Sequence, residues 1–502
     1  MGEGTALRAP TRRGTYGLLV AVGAAILAVG LLVPFLVADP ASNQALGAVG
    51  GSGSSDADLG AGDAAGGVAG STTTTTLLAG GATIPGGPTT GDGTTGGIGG
   101  TGGGGVKRTA SDVGITADVI TVGVPVPDAS AMGDTKGGAK FGEAVGDFRK
   151  QYQAAIDVIN ESGGINGRQV KAEYRNYAAG DADQMRAACV YLTEEKHVFA
   201  ILGGFYGDPQ LCVTEQHKTV LVASASEPDD YYARSKGLYF SITPTKDRLL
   251  RNLVNALHRD GDLKGKTIGV LDQEGVDSIP VDRTLLPTLR ARGYKVAYHA
   301  RIANDVGAAQ SQIPIEVQRM REAKVDTIIV ASGLIRATVF VQEAQNQRYK
   351  PHYLLSDFAS GATDIYTIAM PDSFAGSVGY TAFRTGEARA GLPEAPQDAG
   401  CRANYEKRTG EKVSRTGTEY FYVVTGCGIT KLFQLAMAAA GPNPTRASFS
   451  AAMQDLGRVQ VPFGDVGSFR PGKYDAPDTS RRVVWMLDCK CWMPTGAYKP
   501  TG

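Results

Sequence analysis

From Asp112 to the end of the chain, short apolar runs alternate with amphipathic stretches. The runs Ile120–Val126, Val170–Tyr174, Val198–Leu202, Val220–Ala223, Leu238–Ile242, Thr267–Leu271, Val296–Ala300, Thr327–Val330 and Tyr353–Leu355 have the length and β-branched content of strands. Between them, Phe148–Asn160, Asp181–Glu195, Lys246–Arg259, Arg283–Arg292, Gln310–Lys324 and Ile335–Arg348 follow the helical period. In Lys246–Arg259, the residues Leu249, Leu250, Leu253, Val254 and Leu257 share one face, which predicts a helix buried along that stripe. Strand-helix units of this spacing build parallel sheets covered on both faces. They are too many for one modest sheet, so the expected fold class is α/β with two lobes. One boundary is expected at Thr243-Pro244-Thr245 and another near Gly376–Tyr380. Helices Ala399–Arg408 and Glu419–Ala440 then return to a lobe, and Val483–Trp492 supplies a final strand. In numbers, the first lobe is expected over 112–243 and 379–445, and the second over 244–378 and 446–502. Several crossings between lobes make a hinge and a cleft.

The pattern stops upstream of Asp112. Residues Tyr16 to Ala38 are uncharged and long enough to cross a ~30 Å hydrocarbon core as a helix. Arg8, Arg12 and Arg13 precede them, so residues 1–15 read as a cytoplasmic tail and everything after the segment as exported. A signal peptide cleaved after Val37-Ala38 would export the same chain in secreted form. Residues 39–111 are Gly, Ala, Ser and Thr with few large apolar side chains, the composition of a flexible linker. As a coil it would span roughly 45–50 Å. It reads as a tether.

Composition changes the picture in two places. Lys plus Arg and Asp plus Glu number 50 each, so the chain is neutral and offers nucleic acid no basic surface. The six cysteines, Cys189, Cys212, Cys401, Cys427, Cys489 and Cys491, all lie in the exported part, where an even count favours disulfides. Pairing in sequence order is expected, Cys189 with Cys212, Cys401 with Cys427, and Cys489 with Cys491. Many connectivities are open to six cysteines, and a C-x-C ring is tight enough that either of its members could reach elsewhere.

Candidate chemistry is sparse. Gly203-Gly204-x-x-Gly207 lacks both the G-x-G-x-x-G spacing and a P-loop lysine, so it reads as a tight turn at a cleft edge. Ser224 and Ser226 are not in a G-x-S-x-G elbow. His197, His217, His258, His299 and His352 are scattered, with no metal-ligand pair among them. No cofactor, metal or enzymatic reaction is expected, and a hydrolase is the weakest functional reading.

The order strand, glycine-rich loop, long helix, then Ile159-Asn160-Glu161-Ser162-Gly163-Gly164-Ile165-Asn166-Gly167-Arg168, strand, and Phe199-Ala200-Ile201-Leu202-Gly203-Gly204 resembles the type I periplasmic solute-binding proteins of ABC transporters. The leucine/isoleucine/valine-binding group is the most similar in pattern, over about 112–492. The resemblance implies two Rossmann-like lobes that close over a ligand. It also implies that Ser224, Ala225 and Ser226 hold a ligand carboxylate, and that Asp357 receives a ligand ammonium. Opposed groups of this kind suit a zwitterion. Three features depart from the pattern: Gly207 stands where a serine or threonine is expected, Leu334 stands where an aromatic is expected, and the Asp128–Gly142 loop is long. Phe205, Tyr206, Tyr231 and Tyr380 could wall the cleft for an apolar or ring-bearing ligand, although packing is the ordinary role of such side chains. The expected function is therefore capture of an amino acid or similar small molecule for an ABC permease. The alternative is a membrane-tethered extracellular sensor or scaffold with the same fold.

Overall fold

The computed structural model describes residues 106–128, 144–178, 181–364 and 370–501. The expected tail, the apolar segment 16–38, most of the linker, and the Asp128–Gly142 loop beyond Asp128 lie outside the described residues.

Two sheets form the core of the described chain. The first has order β2-β1-β3-β4-β5 and is parallel throughout: β1 Val119–Asp128, β2 Gln169–Ala178, β3 Ala200–Gly203, β4 Val220–Ala223 and β5 Tyr239–Ser241. The second has order β14-β13-β10-β9-β8-β6-β7. In it, β6 Ile268–Gln273, β7 Val296–Ile302, β8 Thr327–Ala331, β9 His352–Ser356 and β10 Val378–Thr381 are parallel. After the hairpin β11 Gly457–Gln460 and β12 Val466–Phe469, strands β13 Thr479–Met486 and β14 Cys491–Pro494 add antiparallel to that sheet. The edge piece β15 Lys499–Pro500 pairs with β13.

Helices cover both faces of each sheet, and the two-residue strand period divides the core accordingly. In the first lobe Ala200, Leu202, Val220, Val222 and Phe240 face α1 Phe148–Glu161, while Ile201, Leu221, Ala223 and Tyr239 face α2 Ala182–Val190 and α3 Asp229–Arg234. The second lobe repeats this. Ile328 and Val330 face one way and Ile329 and Ala331 the other, towards α4 Lys246–Asp260 and α5 Leu286–Ala291. The opposite face is covered by α6 Val306–Glu322 and α7 Leu334–Asn346. This double burial is why the strands read as continuous apolar runs.

The C-terminal part differs from the expected division. Strand β10 belongs to the second sheet, whereas the sequence pattern places 379–445 in the first lobe. The helices α8 Pro396–Thr409, α9 Thr418–Ala439 and α10 Arg446–Gln454 pack on the first lobe. So does the hairpin: Phe449, Met453, Val461, Phe469 and Ala476 share a core with Phe240 and Phe433. The second lobe regains the chain only from Thr479, and the single strand expected over Val483–Trp492 is two strands joined by a turn. An amphipathic helix can bury its stripe against either lobe, so its sequence alone does not choose. Helix α9 is the one described helix long and apolar enough to cross a membrane, but 61% of its most apolar window is buried in the first lobe.

Three crossings join the lobes, and the first and last are tied to each other. Asp475, buried on the last crossing, accepts the Thr245 N–H of the first crossing at 2.8 Å and pairs with Arg248. Ser241 N–H donates to Tyr474 O at 2.9 Å, and Ala476 N–H donates to Ser241 O at 2.8 Å. On the middle crossing, Arg384 N–H donates to Phe463 O at 2.8 Å.

The Gly-Gly-Ile-Asn-Gly-Arg turn has a structural task. Asn166 sits in the left-handed region at φ 49, and its amide donates to Gly441 O at 2.9 Å and more weakly to Met437 and Ala438 O, closing the free carbonyls at the end of α9. Arg168, fully buried, donates to Thr116 O at 2.7 Å, Pro442 O at 2.5 Å and Thr109 O at 3.0 Å. Thr109 is also held by Asn443, so the end of the expected linker is fastened to the first lobe here. The disulfides pair as expected, Cys189–Cys212, Cys401–Cys427 and Cys489–Cys491.

Candidate functional site

In open parallel sheets, ligands bind beyond the carboxyl ends of the strands. The first crossing leaves the carboxyl end of β5 and enters α4, whose first residue, Lys246, lies beside Asp277 at the carboxyl end of β6. The two sheets therefore turn these ends toward each other, and the candidate site lies in the gap.

The first-lobe side is built from the turns after β3 and β4. At Gly203, with φ 97, a Cβ would come within 2.6 Å of the Tyr152 hydroxyl, so only glycine brings the chain this close. The next side chain, Phe205, is fully buried in the core with Tyr177 rather than walling the gap. Tyr206 is 63% exposed, and its phenol has Glu227, Tyr152, Tyr177 and Tyr422 as electrostatic neighbours. Gly207 has φ 67, which explains why no serine or threonine stands there, and its N–H donates to Glu227 Oε1 at 2.5 Å. Ser224 and Ala225 are half-buried after β4, and Ser226 is buried. The Ser224 carbonyl accepts Thr243 Oγ1 at 2.6 Å, and the Ala225 carbonyl accepts Tyr239 and Ser241 hydroxyls at 2.9 and 3.2 Å.

Across the gap, Asp357 follows β9 but turns inward. It is 3% exposed; Oδ2 accepts the Ala382 N–H at 2.7 Å, and Oδ1 has no hydrogen-bond partner. Burial pushes its carboxyl up to about 7. Tyr380 is likewise a core residue of the second lobe, its hydroxyl donated to Asp260 at 2.7 Å and Asp262 at 3.0 Å. Tyr231, too, is buried and bonded, to Asp208 at 2.5 Å. Of the four aromatics expected at the wall, Tyr206 alone is exposed, and Phe205, Tyr231 and Tyr380 are buried packing residues. Leu334, the first residue of α7, packs against the second-lobe core. The chain after β9 is strained, with Ala359 and Ser360 at φ 46 and 66.

A buried polar chain, absent from the sequence expectations, joins the two sides. Lys246 Nζ lies 2.8 Å from Glu227 Oε2 and 2.7 Å from Asp277 Oδ1. Burial pulls the ammonium down, but the two carboxylates outweigh it and hold it above its ordinary value. Asp277 Oδ2 accepts from Gln273 Nε2 at 2.7 Å, and Gln273 Oε1 accepts from Gly333 N–H at 2.8 Å and Ser332 Oγ at 3.2 Å. Gly207, Glu227, Lys246, Asp277, Gln273 and Gly333 thus link the ends of β3, β4, β6 and β8. A lysine opening an amphipathic helix reads as solvated, so only the fold could reveal this role.

Nearer the middle crossing, a narrow groove lies between the start of α9 and the loops after β9 and β10. Tyr420, Phe421 and Phe463 form its aromatic wall, and Arg384, Arg389 and Arg415 stand around it. Phe421 extends the wall to Tyr422, with ring centres 5.2 Å apart, and Tyr422 to Phe148 at 5.0 Å. Arg389 pairs with Asp364 and donates to Thr416 O at 2.7 Å, tying the second lobe to the entry of α9. Arg384 pairs with Glu387 at 3.0 Å. Among the described residues, the one cluster with metal-ligand spacing, Cys189, Cys212 and His217, is a disulfide beside a histidine facing Glu194.

No curated protein matches the chain. Solved structures do, at low identity. A solute-binding protein of an R. palustris ABC transporter in complex with 4-hydroxybenzoate has a TM-score of 0.60 at 16% identity, covering 77% of this chain and 98% of its own. An ABC transporter substrate-binding protein from Desulfitobacterium hafniense in complex with Leu has 0.55 at 15%, covering 75% and 100%. A fatty acid ABC transporter substrate-binding protein from Thermomonospora curvata has 0.55 at 19%, covering 80% and 96%. These establish the fold. The periplasmic binding protein family matches residues 119–477, from the first strand of the first sheet to the last crossing between the lobes. Two parallel sheets facing each other across a stitched, three-stranded hinge are what that match spans, and the chain belongs to the periplasmic binding protein family, whose members bind solutes and are not enzymes.

Proposed function

We propose that this protein captures an organic acid with an apolar body between its lobes and delivers it to an ABC-type permease outside the cytoplasm. The single observation that carries the reading is the gap itself. Strand ends of both sheets face it, Tyr206 is exposed at the turn after β3, and a groove walled by Tyr420, Phe421 and Phe463 is lined by Arg384, Arg389 and Arg415 together with Asp364, Glu387 and Glu394. Leucine, 4-hydroxybenzoate and a fatty acid, named for the similar structures, share a carboxylate and an apolar part. An amino acid remains within this class, with Ser224, Ala225 and Ser226 as the proposed carboxylate side. Its ammonium would have to reach the buried Asp357 carboxyl, which favours ligands without one. Residues 16–38 serve as the proposed membrane anchor.

The test is a thermal-shift and calorimetric screen of the full chain against leucine, 4-hydroxybenzoate and a medium-chain fatty acid. A ligand at about 100 times its Kd should add about 2.7 kcal/mol to stability and raise Tm accordingly. If no organic acid stabilises the protein while neutral or cationic solutes do, the proposed ligand class is wrong.

A further inference from the structure

The three disulfides are not alike. Cys189–Cys212 and Cys401–Cys427 close sequence separations of 23 and 26 residues and pin neighbouring helical segments, with Cys189, Cys212 and Cys401 buried. Cys489–Cys491 closes a separation of 2, at the turn between β13 and β14. A cross-link restricts the unfolded chain less as its loop shortens, so this bridge has little stabilising work. The hairpin does not depend on it. Trp485 pairs with Trp492 across the two strands, both rings are fully buried, and each meets Phe374, at 5.5 and 5.9 Å between ring centres.

Access to the two sulfurs is unequal. Cys489 is exposed, whereas Cys491 is 2% exposed. Met486 and Leu487, each 43% exposed, lie beside it and give an incoming protein an apolar footing. Short-loop, exposed bridges are the ones open to thiol exchange.

We propose that Cys489–Cys491 is a thiol–disulfide exchange site, opened and re-formed by a dithiol partner, while the other two bridges are permanent. A partner thiolate attacks Cys489 Sγ. The bond to Cys491 breaks, its electron pair leaves on Cys491 Sγ, and that sulfur takes a proton from solvent. The partner's second thiolate then attacks its own sulfur in the mixed disulfide, and Cys489 departs as a thiolate that is protonated in turn. Two electrons and two protons pass from the dithiol to the bridge, and the partner leaves as a disulfide. The exchange is independent of which solute the cleft holds.

Dithiothreitol is the probe. The full chain is equilibrated in graded mixtures of its reduced and oxidised forms, quenched in acid, alkylated and mapped by peptide mass spectrometry, with circular dichroism in parallel. Cys489 and Cys491 should become half-labelled at a reduced-to-oxidised ratio ~10-fold or more below that needed for the other two bridges, with the native spectrum kept. Simultaneous opening of all three, or later opening of this one, overturns the proposal. In a second arm, the Cys491→Ser variant should react with an aromatic disulfide reagent ~10-fold or more faster than Cys489→Ser, because only Cys489 is accessible. Equal rates overturn the assignment of Cys489 as the attacked sulfur.

Discussion

Asp357 shows how much a residue's meaning depends on its direction. The family resemblance implies a ligand contact for it, yet the carboxylate is buried and accepts the Ala382 N–H. Burial raises its pKa from the ordinary 3.8 to about 7, so between those values the native state keeps a proton that the unfolded chain has lost. Its contribution to stability therefore falls as pH rises through that window, by up to about 4 kcal/mol, and is flat above it. Asp357→Asn keeps an acceptor for Ala382 but cannot ionise. Its Tm relative to wild type should climb from pH 5 to pH 8; a constant difference across that range would show that the group does not titrate there. Nothing in the sequence signalled this burial, because an acidic residue at a strand end is usually exposed.

At the scale of elements, the turn Gly163–Arg168 was the most legible stretch and the most easily misjudged. Its residues carried the family resemblance, and its left-handed Asn166 and buried Arg168 explain why those side chains are there. They hold the end of α9 and the entry of the chain at Thr109, 52 residues or more from any turn they could have specified locally. Arg168 meets only carbonyl and amide oxygens, and three directions are served by one planar fork. Lysine lacks that fork. Arg168→Lys should lose roughly 2–3 kcal/mol in urea unfolding, and Arg168→Ala more, because buried carbonyls are left without donors. Unfolding free energies within about 0.5 kcal/mol of wild type would mean that the turn is not a staple.

At the scale of the molecule, the Glu227–Lys246–Asp277 chain couples the strand ends of both lobes. A ligand can close the cleft only by its difference in affinity between open and closed forms, so groups that already bridge the lobes set the balance it must shift. Lys246→Met leaves two carboxylates buried without their cation and should cost about 3–5 kcal/mol. Adding Glu227→Gln should restore part of that loss, since one stranded charge is removed. Strictly additive losses in the double variant would show that the two side chains are not coupled.

The sequence by itself determined the strand-helix alternation and the α/β fold class, and it suggested the disulfide pairing. Each rests on local periodicity or on near neighbours in the chain, which one-dimensional pattern records. Only the tertiary structure decided that α10 and its hairpin complete the first lobe, because an apolar stripe names no partner. It alone decided that Phe205, Tyr231 and Tyr380 fill cores while Tyr206 is left exposed, since backbone geometry, and not composition, aims a side chain. The ion chain through Lys246 belongs to the same class: its three members lie in separate elements, and only folding brings them within bonding distance.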